Sequence, residues 1–175
     1  MRGSNVSTGK ELQGRLHIRR CIMLAGTLVL AASAAWAQDQ TAAMVADAII
    51  ARKTMMGALS DKMDDVETAI SAGKVDLDQA HAAADTVSIY MLAFPHLFPP
   101  ATNQWKPGAD RDPATDTFAS PDVWTRFADF YKLATAASKS AFDASRAQSE
   151  AELKAAIAQL RLQCNACHTD FLKAN

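Results

Sequence analysis

The sequence predicts an all-α fold, an antiparallel four-helix bundle with a long crossover between its second and third helices. Three observations carry this. Apolar residues return at steps of three and four through four segments, helix-boundary signals separate the segments, and no stretch shows the two-residue alternation of a strand.

The first helix is expected from Thr41 to about Ala72, with a seam of Val45, Ile49, Met56, Leu59, Met63, Val66 and Ile70 and with Arg52 filling the missing slot. Gly73 follows as a C-cap, because glycine tolerates the left-handed backbone that closes a helix. Asp76 can cap a second helix whose inner face is Leu77, Ala80, Ala84, Val87, Met91 and Phe94 before Pro95 interrupts it.

Between Pro95 and Ala119 the pattern lapses into prolines, Gly108 and short polar residues, which reads as a long irregular connection. Connections of that length are usually functional or draped over a surface. Ser120, Pro121 and Asp122 then supply an N-cap, a first-turn proline and a first-turn acid. They open a third helix through Trp124, Phe127, Tyr131, Ala134, Ser138 and Ala141. Ser149 and Glu152 form a capping box for the fourth, whose seam is Leu153, Ile157, Leu160, Cys164, Cys167 and Phe171.

The N-terminus predicts export. His17 to Arg20 form a basic n-region, Ile22 to Ala35 an apolar stretch, and Ala35, Trp36 and Ala37 an A-x-A cleavage signal. Residues 1–37 are therefore expected to be a secretory signal peptide and 38–175 the mature domain. The apolar stretch falls short of the roughly 20 residues that span a bilayer, so no membrane span is expected. Cys21 precedes the apolar run and is not placed for lipid attachment. Removing 1–37 leaves 13 basic and 18 acidic residues, a formal charge of −5. That balance argues against nucleic acid and against anionic lipid as partners.

The mature chain keeps two cysteines, in Cys164-Asn165-Ala166-Cys167-His168. Two thiols at this spacing can each add across a haem vinyl group while the adjacent imidazole ligates iron, so the motif reads as the attachment site of one covalently bound haem c. On a helix, positions 164, 167 and 168 share one side. A zinc site would need a fourth ligand, and His81 and His96 have simpler readings, as a surface residue and as a partly buried structural histidine. A thioredoxin-like pair would want a helix N-terminus in an α/β pattern.

The chain resembles the class II c-type cytochromes, cytochrome c prime and its low-spin, methionine-ligated relatives, over essentially all of residues 40–172. The resemblance rests on Arg52-Lys53-Thr54-Met55-Met56-Gly57-Ala58-Leu59, Phe94-Pro95-His96-Leu97-Phe98-Pro99, Ser120-Pro121-Asp122-Val123-Trp124 and Cys164 to Phe171. It implies one haem c, His168 as the proximal ligand and Met56 on the distal side. If the Met56 sulfur binds iron, the haem is six-coordinate and low-spin. If Met56 only packs over the ring, a small gas such as nitric oxide or carbon monoxide has a guarded site. Methionine is also an ordinary gap filler on an apolar seam, and Met55, Met63 and Met91 are fallback ligands. Arg52, costly to bury unpaired, is placed to reach a haem propionate, the alternative being a surface arginine whose stem covers apolar area. Where many relatives carry an arginine four residues after the haem histidine, this chain has Leu172.

The sequence thus leads to a periplasmic monohaem one-electron carrier with a His168/Met56 iron, not an enzyme, docking to periplasmic redox partner proteins. A five-coordinate, gas-binding haem protein is the alternative. Exposed faces of the first two helices could support a homodimer, Trp124 is expected to pack between the third helix and the crossover, and Trp105 to serve as a lid or partner contact.

Overall fold

The computed structural model describes residues 41–106, 108 and 118–173. The expected signal peptide, residues 1–37, lies outside the described residues. From Val45 onward the chain forms one compact unit, in which helix α1 extends through residue 71. Helix α2 is Leu77–Ala93, α3 is the short Asp122–Thr125, α4 is Phe127–Ala144 and α5 is Glu150–Phe171. Helices α1, α2, α4 and α5 are the four of the bundle, and α4 packs against both α2 and α5.

The boundaries follow the local chemistry. Gly73 adopts φ +63°, its amide donates to the Ile70 carbonyl and that of Lys74 to the Ala69 carbonyl. This pair of bonds is the Schellman closure of α1. Asp76 accepts from the Gln79 amide at 3.1 Å to start α2. Ser149 accepts from the Glu152 amide at 3.2 Å, while the Glu152 carboxylate reaches back to the Gln148 amide at 2.7 Å. The returning arm of this box thus meets the residue before the cap rather than the cap itself.

The third helix departs from expectation. It is broken at Arg126, whose backbone (φ −120°, ψ 38°) is not helical, and so appears as α3 and α4. The break resets the register. Val123 and Phe130 turn inward, and Phe127 and Tyr131, expected on the seam, are exposed. Arg126 is held there by Asp129 at 3.3 Å and by Asp170 of α5 at 3.2 Å. The crossover is also less irregular than its prolines suggest, with 3-10 turns at Phe94–Leu97 and Pro100–Thr102.

Two apolar clusters result. One is aliphatic and alanine-rich: Leu59, Met63 and Val66 of α1, Ala84, Val87 and Met91 of α2, Ala134, Ala137 and Ala141 of α4, and Leu153, Ile157 and Leu160 of α5. Small residues on α4 let neighbouring helices approach closely, and at one such point Ser138 donates to the Ser88 carbonyl at 2.9 Å. The other cluster is aromatic, with Phe94, Phe98, Phe130 and Phe171 around Val123. Its rings meet mostly edge to face, with Phe98 and Phe130 centroids 4.9 Å apart, the arrangement ring quadrupoles favour.

Candidate haem site

The five-residue motif sits where these clusters meet. Cys164 packs against the aliphatic cluster and Cys167 against the aromatic one. Met56 packs against both. Two cavities flank this boundary. The larger, about 420 Å³, is walled by Phe94, Phe98, Val123, Phe130 and Phe171 and also reached by Arg52, Met56, Cys167 and His168. The smaller, about 120 Å³, is walled by Leu59, Met63, Val87 and Met91 and reached by Met56, Cys164, Cys167 and His168. Met56, Ser60, Phe94, Cys167 and His168 border both, so the two spaces are compartments of one groove beside α5.

The sequence placed Cys164, Cys167, His168, Met56 and Arg52 at one site, and the structure brings all five to this groove. Of the fallback ligands, Met63 and Met91 are buried in the aliphatic cluster and touch the smaller cavity. Met55 is half-buried and borders neither cavity.

Burial dominates the electrostatics. It pushes the Cys167 thiol up to about 11, with the charges of Cys164 and Asp170 adding to the effect. The Cys164 thiol is raised for the same first reason. Both are therefore protonated at neutral pH, as buried structural thiols are. Partial burial and then the Arg161 charge move His168 below its ordinary value, favouring the neutral imidazole that a metal requires.

Arg52 is 3% exposed, which rules out a surface role. Its Nη1 donates to Thr102 Oγ1 at 3.1 Å, and its guanidinium lies 4.4 Å from the Phe98 ring centroid and 5.8 Å from that of Trp124. Among the described residues its Nε and Nη2 have no hydrogen-bond partner. Desolvation lowers its pKa to about 10. Trp124 anchors this cradle by donating Nε1 to the Phe98 carbonyl at 3.2 Å, packing α3 on the crossover as expected.

These residues fit a haem. The groove offers hydrocarbon walls for a flat macrocycle, two thiols and an imidazole on one helix side, and an uncommitted cationic edge for a carboxylate.

Sequence reasoning missed three contacts. Arg161, one turn before Cys164, grips Glu67 of α1 through Nε at 2.8 Å and Nη2 at 2.7 Å; the one available signal was an arginine on the motif's own helix. Thr102 was hidden in the crossover. Residues 118–120 strap the end of α5, with the Ser120 amide donating to the Phe171 carbonyl at 2.8 Å and the Lys173 amide to the Phe118 carbonyl at 2.7 Å. This strap pairs Ala119 with Leu172, and both border the larger cavity. Two histidine readings also change. His81 is not a free surface residue, since its Nε2 lies 2.8 Å from the Ala147 carbonyl at the turn between α4 and α5. His96 is exposed, with its ring edge on to Tyr131 at 6.3 Å. Trp105, in the crossover, takes the Lys173 ammonium 5.4 Å from its ring centroid.

Fold and site together define a helical bundle that carries a C-terminal Cys-x-x-Cys-His motif against an apolar groove. A family profile described as Cytochrome C' matches residues 47–172, and the chain belongs to that family of haem proteins. Among curated proteins no match is found. Among solved structures, cytochrome c′ from Thermochromatium tepidum is similar at 22% identity and a TM-score of 0.66, over 74% of this chain and 97% of that one. Cytochrome c′ from Rubrivivax gelatinosus is similar at 24% identity and 0.62, again over 74% and 97%. A point mutant of cytochrome c prime from Alcaligenes xylosoxidans, solved as its nitric oxide complex, is similar at 18% identity and 0.62, over 74% and 97%. At these identities the structural likeness establishes the bundle fold. No helix among the described residues is long and apolar enough to cross a membrane.

Proposed function

We propose that Cys164 and Cys167 carry one haem c, that His168 ligates its iron, and that the face bordered by Met56 receives a small neutral gas, nitric oxide or carbon monoxide. The observation that carries this reading is that Met56 and His168, from different helices, border the same two apolar compartments. Membership of the cytochrome c′ family and the nitric oxide complex of the Alcaligenes relative support the gas-binding side. They favour it over the His168/Met56 electron carrier that the sequence put first.

When bound, haem c supplies an iron centre able to take a gas ligand or pass one electron. The chain's own residues do the rest. His168, held neutral, presents a nitrogen lone pair. Phe94, Phe98 and Phe130 exclude water, which disfavours charged ligands relative to uncharged ones. Met56, unbranched and adaptable, restricts the size of what enters. Residues 1–37 would deliver the chain to the periplasm. Exposed Ile50 on α1 and Ile89 and Leu92 on α2 offer apolar surface for a homodimer.

The same juxtaposition also admits the carrier as a second reading, because a thioether bordering the space that His168 borders could ligate the iron. The absorption spectrum separates the two. A high-spin oxidised spectrum and a shift when carbon monoxide meets the reduced protein are expected. A sulfur-ligation band near the red end of the wild-type spectrum, abolished by Met56→Ala, would replace the gas-binding reading with the carrier.

A further inference from the structure

Arg161 and Arg52 form an internal comparison. Arg161 holds the two carboxylate oxygens of Glu67 with Nε and Nη2, the side-on fork of the guanidinium. Arg52, a residue that lines the larger cavity, has this same Nε and Nη2 edge buried and without a hydrogen-bond partner among the described residues. An unpartnered fork of that geometry is suited to a carboxylate.

What fixes the edge is Thr102. This residue is fully buried, and its hydroxyl proton is committed to the Pro99 carbonyl at 2.7 Å. The oxygen is therefore left as an acceptor, and it takes Nη1 of Arg52 at 3.1 Å. Arg52 Cζ also lies over the Phe98 ring, 4.4 Å from its centroid. With Nη1 bonded to Thr102 and the Phe98 ring against the group, the Nε/Nη2 side is the fork left without a partner among the described residues.

We propose that Thr102 is a positioning residue of the site, orienting Arg52 so that its Nε/Nη2 edge grips a haem propionate. This rests on the haem reading above. The other titratable or charged side chains at the larger cavity are Lys53 of α1 and Cys167 and His168 of α5, while the 3-10 turn and the residue after it, α3 and α4 present Phe94, Phe98, Val123 and Phe130.

The test uses the haem-loaded full chain. Thr102→Val keeps the shape and removes the acceptor. A propionate held by a fixed cation has a depressed pKa, so the pH at which the midpoint potential begins to fall is expected to rise by roughly one unit in Thr102→Val and to return in Thr102→Ser. An unchanged break point in a folded, coloured Thr102→Val protein, or no return with serine, overturns the proposal. A colourless wild-type protein would instead overturn the haem reading itself. Should the valine variant not fold, a crystal structure of the wild-type holoprotein decides: Nη1 on Thr102 with Nε and Nη2 on one carboxylate is expected, and a carboxylate on Nη1 overturns the proposal.

Discussion

Met56 of α1 and His168 of α5 border the same two cavities, and one of the motif cysteines, Cys167, borders both as well. Two helices far apart in sequence thereby define opposite contributions to one groove, an imidazole with its thiols on α5 and a thioether on α1. Met56 can be trimmed without touching the motif from Cys164 to His168.

On that basis Met56→Ala is expected to speed carbon monoxide binding to the reduced protein by about tenfold, the equivalent of about 1.4 kcal/mol of barrier. Stopped-flow mixing measures it. An unchanged rate would mean that Met56 does not guard the site.

Arg52→Met should act with opposite sign on the two forms of the protein. The folded pKa of Arg52, about 10, lies below its ordinary value because burial desolvates the charge, so its favourable contribution exists only above that ordinary value and is gone once pH falls through 10. At neutral pH the buried charge is a cost to the haem-free chain. Removing it should stabilise that form by about 1–3 kcal/mol, since Thr102 keeps its own bond to Pro99. The holoprotein should lose stability. Urea midpoints of both forms check this, and a shared sign would count against the carboxylate role.

The Arg161 and Glu67 pair joins α5 to α1 one turn before Cys164. Both side chains are about a third exposed, which places a bidentate pair near the top of the range for screened ion pairs, about 1 kcal/mol. A double-mutant cycle with Arg161→Met and Glu67→Gln should return that coupling and show it shrinking in high salt.

For the haem-free chain, the Cys167 thiol sets an alkaline limit. Its pKa rises from 9.0 to about 11 on folding, so the stability it contributes is complete below pH 9 and lost as pH rises through 11. Alkylation by iodoacetamide should accelerate with a midpoint near 11 in the folded chain and near the ordinary thiol value in urea. A folded-state midpoint at the ordinary value would show that Cys167 is not buried.

Gly73→Ala tests the end of α1. Nothing lies within 4 Å of the added Cβ, so only the strain of φ +63° is charged to the substitution, about 1 kcal/mol. Thermal unfolding would register it.

What the sequence determined by itself was local. Seam spacing placed α1, α2 and α5, while Gly73, Asp76 and Ser149 marked their ends, because capping and periodicity act within a turn or two of chain. The motif from Cys164 to His168 was legible for the same reason: its chemistry lies within five residues. Arg52 and Met56 were legible as a pair on one seam.

Tertiary structure alone decided the rest. The break at Arg126, held by Asp170 from another helix, exchanged Phe127 for Phe130 in the core, and no local signal marks it. Thr102 looked like one polar residue in a proline-rich crossover until folding buried it against Arg52. Periodicity could place Arg52 on the apolar face, but its open edge depends on a hydroxyl and a ring supplied fifty residues later. Charge burial, cavity shape and the partner of a guanidinium are sums over neighbours distant in sequence, and they acquire values only when the helices pack.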